Sequence, residues 1–340
     1  ISNDQEKAEE VPTESLPQCY SSSEADPSRG TWRKSPNGVE DSPTNLEDWE
    51  RPRTKDPCSV LWETTHTNEE PMPWYTWEAE DCSLAAIDPD NFCRLMEGRK
   101  GILLAGDSLS HEMTTTLAAI LRVEVVVRQT VNSIMEAEWS ACNDTLPIAF
   151  KRNDHLIPDT EGFGNNKCPG TPTAMCTVFA DDSILSRFDT LVVNSGAHAI
   201  PLEKYATAME IASKALTASM DRLHGDKAIL VVRNTATGHA ECKERMFEGP
   251  VDLDVALRLI AETPESYKYL TFDACNTALK EAFGEGSWWY LDAYTPTLLR
   301  PDSHYGDKDC LHYCVPGPID HWVRLLYNVM IVATGADELP

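Results

Sequence analysis

The chain has 340 residues, 41% of them hydrophobic, enough for one large core or for a domain with a smaller lobe packed on it. Its 29 lysines and arginines stand against 55 aspartates and glutamates, a net charge of −26. Nucleic acid and anionic membrane surfaces are therefore disfavoured partners, and uncharged glycans remain open.

Residues 1–45 are rich in Ser, Glu, Pro and Asp and nearly free of aliphatic side chains, the composition of a disordered stem or linker. Residues 46–100 read as an irregular, cysteine-tied amino-terminal lobe, aromatic and proline-rich from Trp49 to Trp77. At "GILLAGD" (101–107) a short continuous apolar run predicts a strand buried on both faces. "SLSHEMTTTLAAILR" (108–122) has apolar residues at helical spacing, with Ser108 suited to the helix start. Further strands are predicted at 123–129, 190–196, 228–235 and 288–294, and helices at 201–223, 264–283 and 319–333. This alternation predicts an α/β core over 101–334, a parallel sheet covered by helices in three layers, followed by a tail at 335–340. In such sheets the active site lies at the carboxyl ends of the strands, where Gly106-Asp107-Ser108 falls.

No run of 18 apolar residues occurs, and the first residue is Ile1 rather than Met. The chain is expected to be soluble, with a targeting segment removed or the sequence a fragment. Eleven cysteines (19, 58, 82, 93, 142, 168, 176, 242, 275, 310 and 314) lack the C-x-x-C pairs of zinc ribbons and read as disulfides of an oxidising compartment. The odd count leaves one thiol free, paired with another chain, or without its partner. Asn143-Asp144-Thr145 is the single N-x-[ST] sequon, and Asn143 is a candidate glycosylation site.

A serine at a strand-to-helix turn exposes its Oγ beside the backbone N–H groups of the helix start, which favours Ser108 as a nucleophile; by itself "GDS" reads equally as a helix cap. In "DCLH", Asp309 and His312 stand three residues apart, so one turn supplies a base and the carboxylate that orients it. Their alternative is a structural histidine and a turn aspartate. A metal reading of "DCLHYC" through Cys310, His312 and Cys314 competes poorly with disulfides, and no metal is expected. The amide of Asn194 and the backbone N–H of Gly196 in "NSGAH" are candidate oxyanion donors or a plain strand-end turn. Arg233 and His239, in "VVRNTATGHAEC", leave another strand end as acceptor contacts or polar loop residues. Tryptophans 49, 62, 74, 77, 288 and 289 are candidates for stacking on sugar rings, with core packing as the commoner role.

Together these residues resemble the trichome-birefringence-like polysaccharide O-acetyltransferases and their PC-esterase relatives in the GDSL/SGNH superfamily, over residues 57–334. The resemblance rests on the Trp- and Cys-containing lead-in ending "GILLAGDSLS", on "DCLHYCVPGPIDHWVRLLYN", on "RNTATGHAEC" and on the D-x-H segment in "LLRPDSHYG". It implies an SGNH-hydrolase-like fold, with Ser108 as nucleophile, His312 as base, Asp309 as its orienting acid and Asn194 as oxyanion donor. A glycan acceptor and an acetyl donor such as acetyl-CoA as co-substrate follow, with no bound cofactor. A Golgi or secretory location is implied, and membrane attachment only through an anchor upstream of this chain. Two departures leave the acceptor open: His111-Glu112-Met113 replaces the plant continuation of the GDS block, and "NSGAH" moves the histidine, His198, by one position. The expected reaction is double displacement through an acyl-serine. A carbohydrate acetyl esterase with the same triad is the first alternative, and a non-catalytic glycan-binding protein the second. Cys310 is expected to pair with Cys242 and Cys314 with a cysteine of the amino-terminal lobe, stapling the loop that carries the base.

Overall fold

The computed structural model describes residues 16–44, 72–131, 134–156, 182–198, 201–242, 247–264, 269–284, 286–304 and 309–336. Strand β1 (Gly30–Lys34) pairs antiparallel with β2 (Tyr75–Ala79), setting Trp32 opposite Trp77. Helix α1 (Pro89–Leu95) begins at Asp88, whose carboxylate accepts the Asn91 N–H, with proline in the first turn, where no backbone donor is needed. There follow β3 (Ile102–Gly106), α2 (Ser108–Ile120), β4 (Val125–Val131), β5 (Ile134–Ala141), β6 (Leu146–Arg152) and the short α3 (Asp182–Leu185). The chain continues through β7 (Thr190–Val193), α4 (Leu202–His224), β8 (Ile229–Arg233), α5 (Leu253–Ala261), α6 (Phe272–Phe283), β9 (Trp289–Leu291), α7 (Tyr294–Leu298) and α8 (Pro318–Ala333).

The central sheet has seven strands in the order β4-β5-β6-β3-β7-β8-β9. From β6 to β9 the pairs are parallel. Alternate residues of each inner strand face opposite layers. Ile102, Leu104, Val192, Ile229 and Val231 pack in the cluster that holds α2 and α8. Leu103, Ala105, Leu191, Val193, Leu230 and Val232 pack in the cluster that holds α4 and α6. Two buried faces are why these strands read as unbroken apolar runs, and each buried Leu or Ile contributes about 1.5–3 kcal/mol. The α/β/α layering is the SGNH-like architecture anticipated from the sequence.

One edge differs from expectation. β4 pairs antiparallel with β5, and β5 with β6, so the sheet is mixed. Neither β5 nor β6 was predicted, and the turn between them takes Cys142, Asn143 and Asp144 through φ of 56°, 56° and 63°. An antiparallel edge can leave one face in water, so its strands alternate in polarity instead of forming apolar runs. The helix expected over 264–283 begins at Phe272, after a 3₁₀ turn at Tyr269–Thr271, and α5 was not anticipated.

The stem expected over residues 1–45 needs correction from residue 16 onward. The Cys19–Cys82 disulfide, the β1–β2 ladder and a hydrogen bond from Trp32 Nε1 to the Pro296 carbonyl (2.8 Å) bind this segment to the domain. Long-range ties of this kind are invisible to a composition rule that counts aliphatic residues. Residues 1–15 and most of the stretch between Trp49 and Trp77, including Trp49 and Trp62, lie outside the described residues.

Cys93–Cys142 fastens α1 to the β5–β6 turn, at whose tip Asn143 is exposed. Cys275 is a buried free thiol whose pKa burial pushes up to about 11, so it is chemically quiet. Among the described residues no helix is long and apolar enough to cross a membrane.

Candidate active site

β3 ends at Gly106, where a Cβ would collide with the Ser110 side chain and the Asn194 carbonyl, so only glycine lets the strand turn this closely into α2. Asp107 caps the helix: its carboxylate accepts the Leu109 N–H at 2.9 Å. The capping role considered for Ser108 thus belongs to Asp107, and Ser108 takes the first helical position, half-buried. Its Oγ lies 2.7 Å from His312 Nε2. His312 Nδ1 lies 2.9 Å from both carboxylate oxygens of Asp309, and Asp309 Oδ1 also accepts the His312 backbone N–H at 3.2 Å. With the Nδ1 proton directed to Asp309, Nε2 is placed to accept the Ser108 hydroxyl proton. The three residues therefore have the mutual geometry of nucleophile, base and orienting acid.

The loop carrying Asp309 and His312 is tied from several sides. Cys242 and Cys310 form a disulfide with Cα atoms 5.5 Å apart, the pairing anticipated above. The His239 N–H donates to the Cys310 carbonyl at 2.9 Å, and the Cys314 N–H to the Ser303 carbonyl at 2.8 Å. Cys314 is also disulfide-bonded, to a partner outside the described residues. With both sulfurs oxidised, neither Cys310 nor Cys314 offers a thiolate, which removes the metal reading of "DCLHYC".

The other expected site residues have different surroundings. Asn194 is fully buried, and its amide donates to the Arg233 carbonyl (3.3 Å) and to Thr235 Oγ1 (3.0 Å). Both N–H groups are committed to holding β7 to β8, so the expected side-chain oxyanion donor is not presented at Ser108. Gly196, at φ +138° against Thr235, occupies backbone space closed to other residues. Arg233 is not a surface contact either. It is 0% exposed, donates to Ser110 Oγ and the Asn234 carbonyl (both 3.1 Å), and stacks 4.9 Å above the Trp322 ring. Burial lowers its pKa to about 10, opposed by the charges of Asp107 and Glu112. His239 is buried, with Nε2 facing the Leu298 carbonyl at 3.0 Å, and so meets no substrate. His198 is half-exposed beside Asp154 and Arg152, at the carboxyl ends of β6 and β7, and remains available.

Comparisons with known proteins give partial matches. Residues 260–329 match the family described as PC-Esterase, a GDSL/SGNH-like acyl-esterase family found in Pmr5 and Cas1p. Over 76% of the chain, protein trichome birefringence-like 25 of Arabidopsis thaliana is 24% identical, with 67% of that protein covered. The chain's similarity to the PC-esterase family is carried by the carboxy-terminal match. Xyloglucan O-acetyltransferase 1 of Arabidopsis thaliana is 21% identical over 76% of the chain and 70% of its own length. Xyloglucan O-acetyltransferase 4 of Populus trichocarpa is 41% identical over 54 residues, 13% of each protein. The chain spans about two thirds of the length of the Arabidopsis relatives, 67%, 63% and 70% for three of them.

The PC-esterase match includes His304, which sequence reasoning noted only as part of a D-x-H segment. His304 Nδ1 lies 2.9 Å from the His312 carbonyl oxygen, and its Nε2 lies 2.8 Å from His239 Nδ1. Burial pushes both rings down, His239 to about 3 and His304 to about 4, so near neutral pH both are uncharged. His304 thus packs behind the loop that carries His312, against its backbone carbonyl.

Proposed function

We propose that the protein is a serine-dependent O-acetyltransferase that moves an acetyl group through an acyl-Ser108 intermediate onto a hydroxyl of a neutral glycan. The observation that carries this reading is the unbroken contact chain from Ser108 Oγ through His312 to Asp309, at 2.7 and 2.9 Å. The relatives named xyloglucan O-acetyltransferases support the reaction class. The net charge of −26 supports an uncharged acceptor.

In the first half-reaction Ser108 Oγ attacks the donor carbonyl carbon while His312 Nε2 takes its proton. Asp309 stabilises the imidazolium so formed. The developing oxyanion meets the Ser108 backbone N–H, one of the first-turn donors that α2's own ladder does not use, and in this reading the Gly196 N–H. Collapse expels the donor's leaving group, which takes the proton from His312. In the second half-reaction the acceptor hydroxyl gives its proton to His312, attacks the acyl carbonyl and displaces Ser108 Oγ, which recovers that proton. A thioester of the acetyl-CoA class suits the first step as co-substrate. The disulfides Cys19–Cys82, Cys93–Cys142 and Cys242–Cys310 support a secretory compartment such as the Golgi lumen, and the exposed Asn143 is a glycan attachment site in that setting. The catalytic domain of this reading extends from the tied segment at residue 16 to the end of α8.

Transfer and hydrolysis are separated by supplying the protein either with an acetyl donor and bare xyloglucan or with acetylated xyloglucan alone. Acetylated polysaccharide in the first mixture is the expected product. Acetate release in both mixtures, with no transfer, selects the esterase.

A further inference from the structure

Between the β1–β2 ladder and the start of α8 lies a cavity of about 310 Å³, at the lower end of ligand-site volumes. Neither Ser108 nor His312 lines it. Its walls include Trp32, Trp74, Tyr75 and Trp77, with Asp320, His321 and Arg324 among the polar members. Flat aromatic walls favour ligands with flat apolar faces.

The polar members differ in what they have left to offer. Asp320 accepts from Thr44 Oγ1, the Gly317 N–H (2.6 Å) and Trp74 Nε1 (3.4 Å). Arg324 donates to the Ala85 carbonyl (3.1 Å), the Trp77 carbonyl (3.1 Å) and the Leu84 carbonyl. His321 is different. It is 4% exposed, and among the described residues neither ring nitrogen has a hydrogen-bond partner. Its ring stands edge-on to Trp32 at 5.5 Å, beside Trp77 at 5.8 Å. Burial and the nearby Arg324 hold its pKa well below the usual histidine range, so the ring is neutral and offers one donor and one acceptor. A buried polar side chain left with both functions unmet is costly, and a ligand hydroxyl, itself donor and acceptor, meets either.

We infer that this cavity binds the ring of a neutral pyranose, its C–H face against the tryptophans and a hydroxyl on His321, as a carbohydrate site separate from the Ser108 centre. An anionic ligand suits it poorly, because Arg324 is already held by three carbonyls and Asp320 and Asp41 line the same cavity. A glycan held here would be retained by the protein independently of acyl transfer.

The test measures binding of cellotetraose and xylotetraose to the Ser108→Ala protein by saturation-transfer NMR and calorimetry, so that turnover plays no part and failure of the catalytic reading leaves it untouched. One tetrasaccharide is expected to bind at millimolar Kd or tighter. His321→Phe and Trp74→Ala should each weaken it by about tenfold or more, and Trp288→Ala, which lies elsewhere, should not. His321→Phe should keep or raise the melting temperature, because it removes two unmet polar atoms while keeping the ring. No binding by the folded protein, binding indifferent to both cavity variants, or preference for free coenzyme A over the sugars would each overturn the inference.

Discussion

Ser108→Ala is expected to lower acetyl transfer by at least about 10⁴-fold while changing stability by only about 1 kcal/mol. Among the described residues the hydroxyl makes one hydrogen bond, to His312 Nε2 at 2.7 Å, so little described structure depends on it. Asp309→Asn should cost a similar factor for a different reason. An amide in that place can donate to Nδ1, which favours the tautomer carrying its proton on Nε2, and that proton blocks acceptance from Ser108. The two effects should not multiply, because both residues act in one proton transfer; a double variant about as slow as either single one is the expected kinetic result. If Ser108→Ala retained transfer, both the transferase and the esterase readings would be lost.

Arg233→Met is expected to destabilise the protein by about 3–5 kcal/mol, read as a lower urea midpoint. The guanidinium is 0% exposed, and its charge is set against those of Asp107 and Glu112. Methionine fills much of the volume but leaves those carboxylates without the positive charge that offsets their burial. A substrate contact behaves in the opposite way, raising KM while leaving the urea midpoint in place. A lower midpoint is expected here, with the buried carboxylates of Asp107 and Glu112 left without the positive charge nearby.

Much of this was legible in the sequence for identifiable reasons. β3, β7 and β8 are apolar throughout because both faces of the sheet are covered, and Ser108 follows the first of them at the strand end where such folds place their chemistry. Asp309 and His312 were legible as a candidate pair because only a few residue types can orient and perform proton transfer, and their three-residue offset brings them into contact on one turn. β5 and β6 were not, since an edge hairpin alternates in polarity and its turn uses cysteine, asparagine and aspartate where glycine is the usual signal. The amino-terminal segment was misjudged because it is held by Cys82, Trp77 and Pro296, all distant in sequence. Asn194, Arg233 and His239 mark a deeper limit. A polar residue at a strand end has the same sequence signature whether it faces a substrate or clamps two strands, and the difference lies in where its hydrogen bonds go.

The central claim is that Ser108 carries the acetyl group between donor and acceptor. Intact-mass measurement followed by peptide mapping of the protein mixed with acetyl donor alone tests it most directly. The account predicts one acetyl adduct on Ser108 that disappears when xyloglucan is added, with the acetyl recovered on the polysaccharide; transfer proceeding with Ser108 unmodified, or with the adduct on another residue, would contradict it.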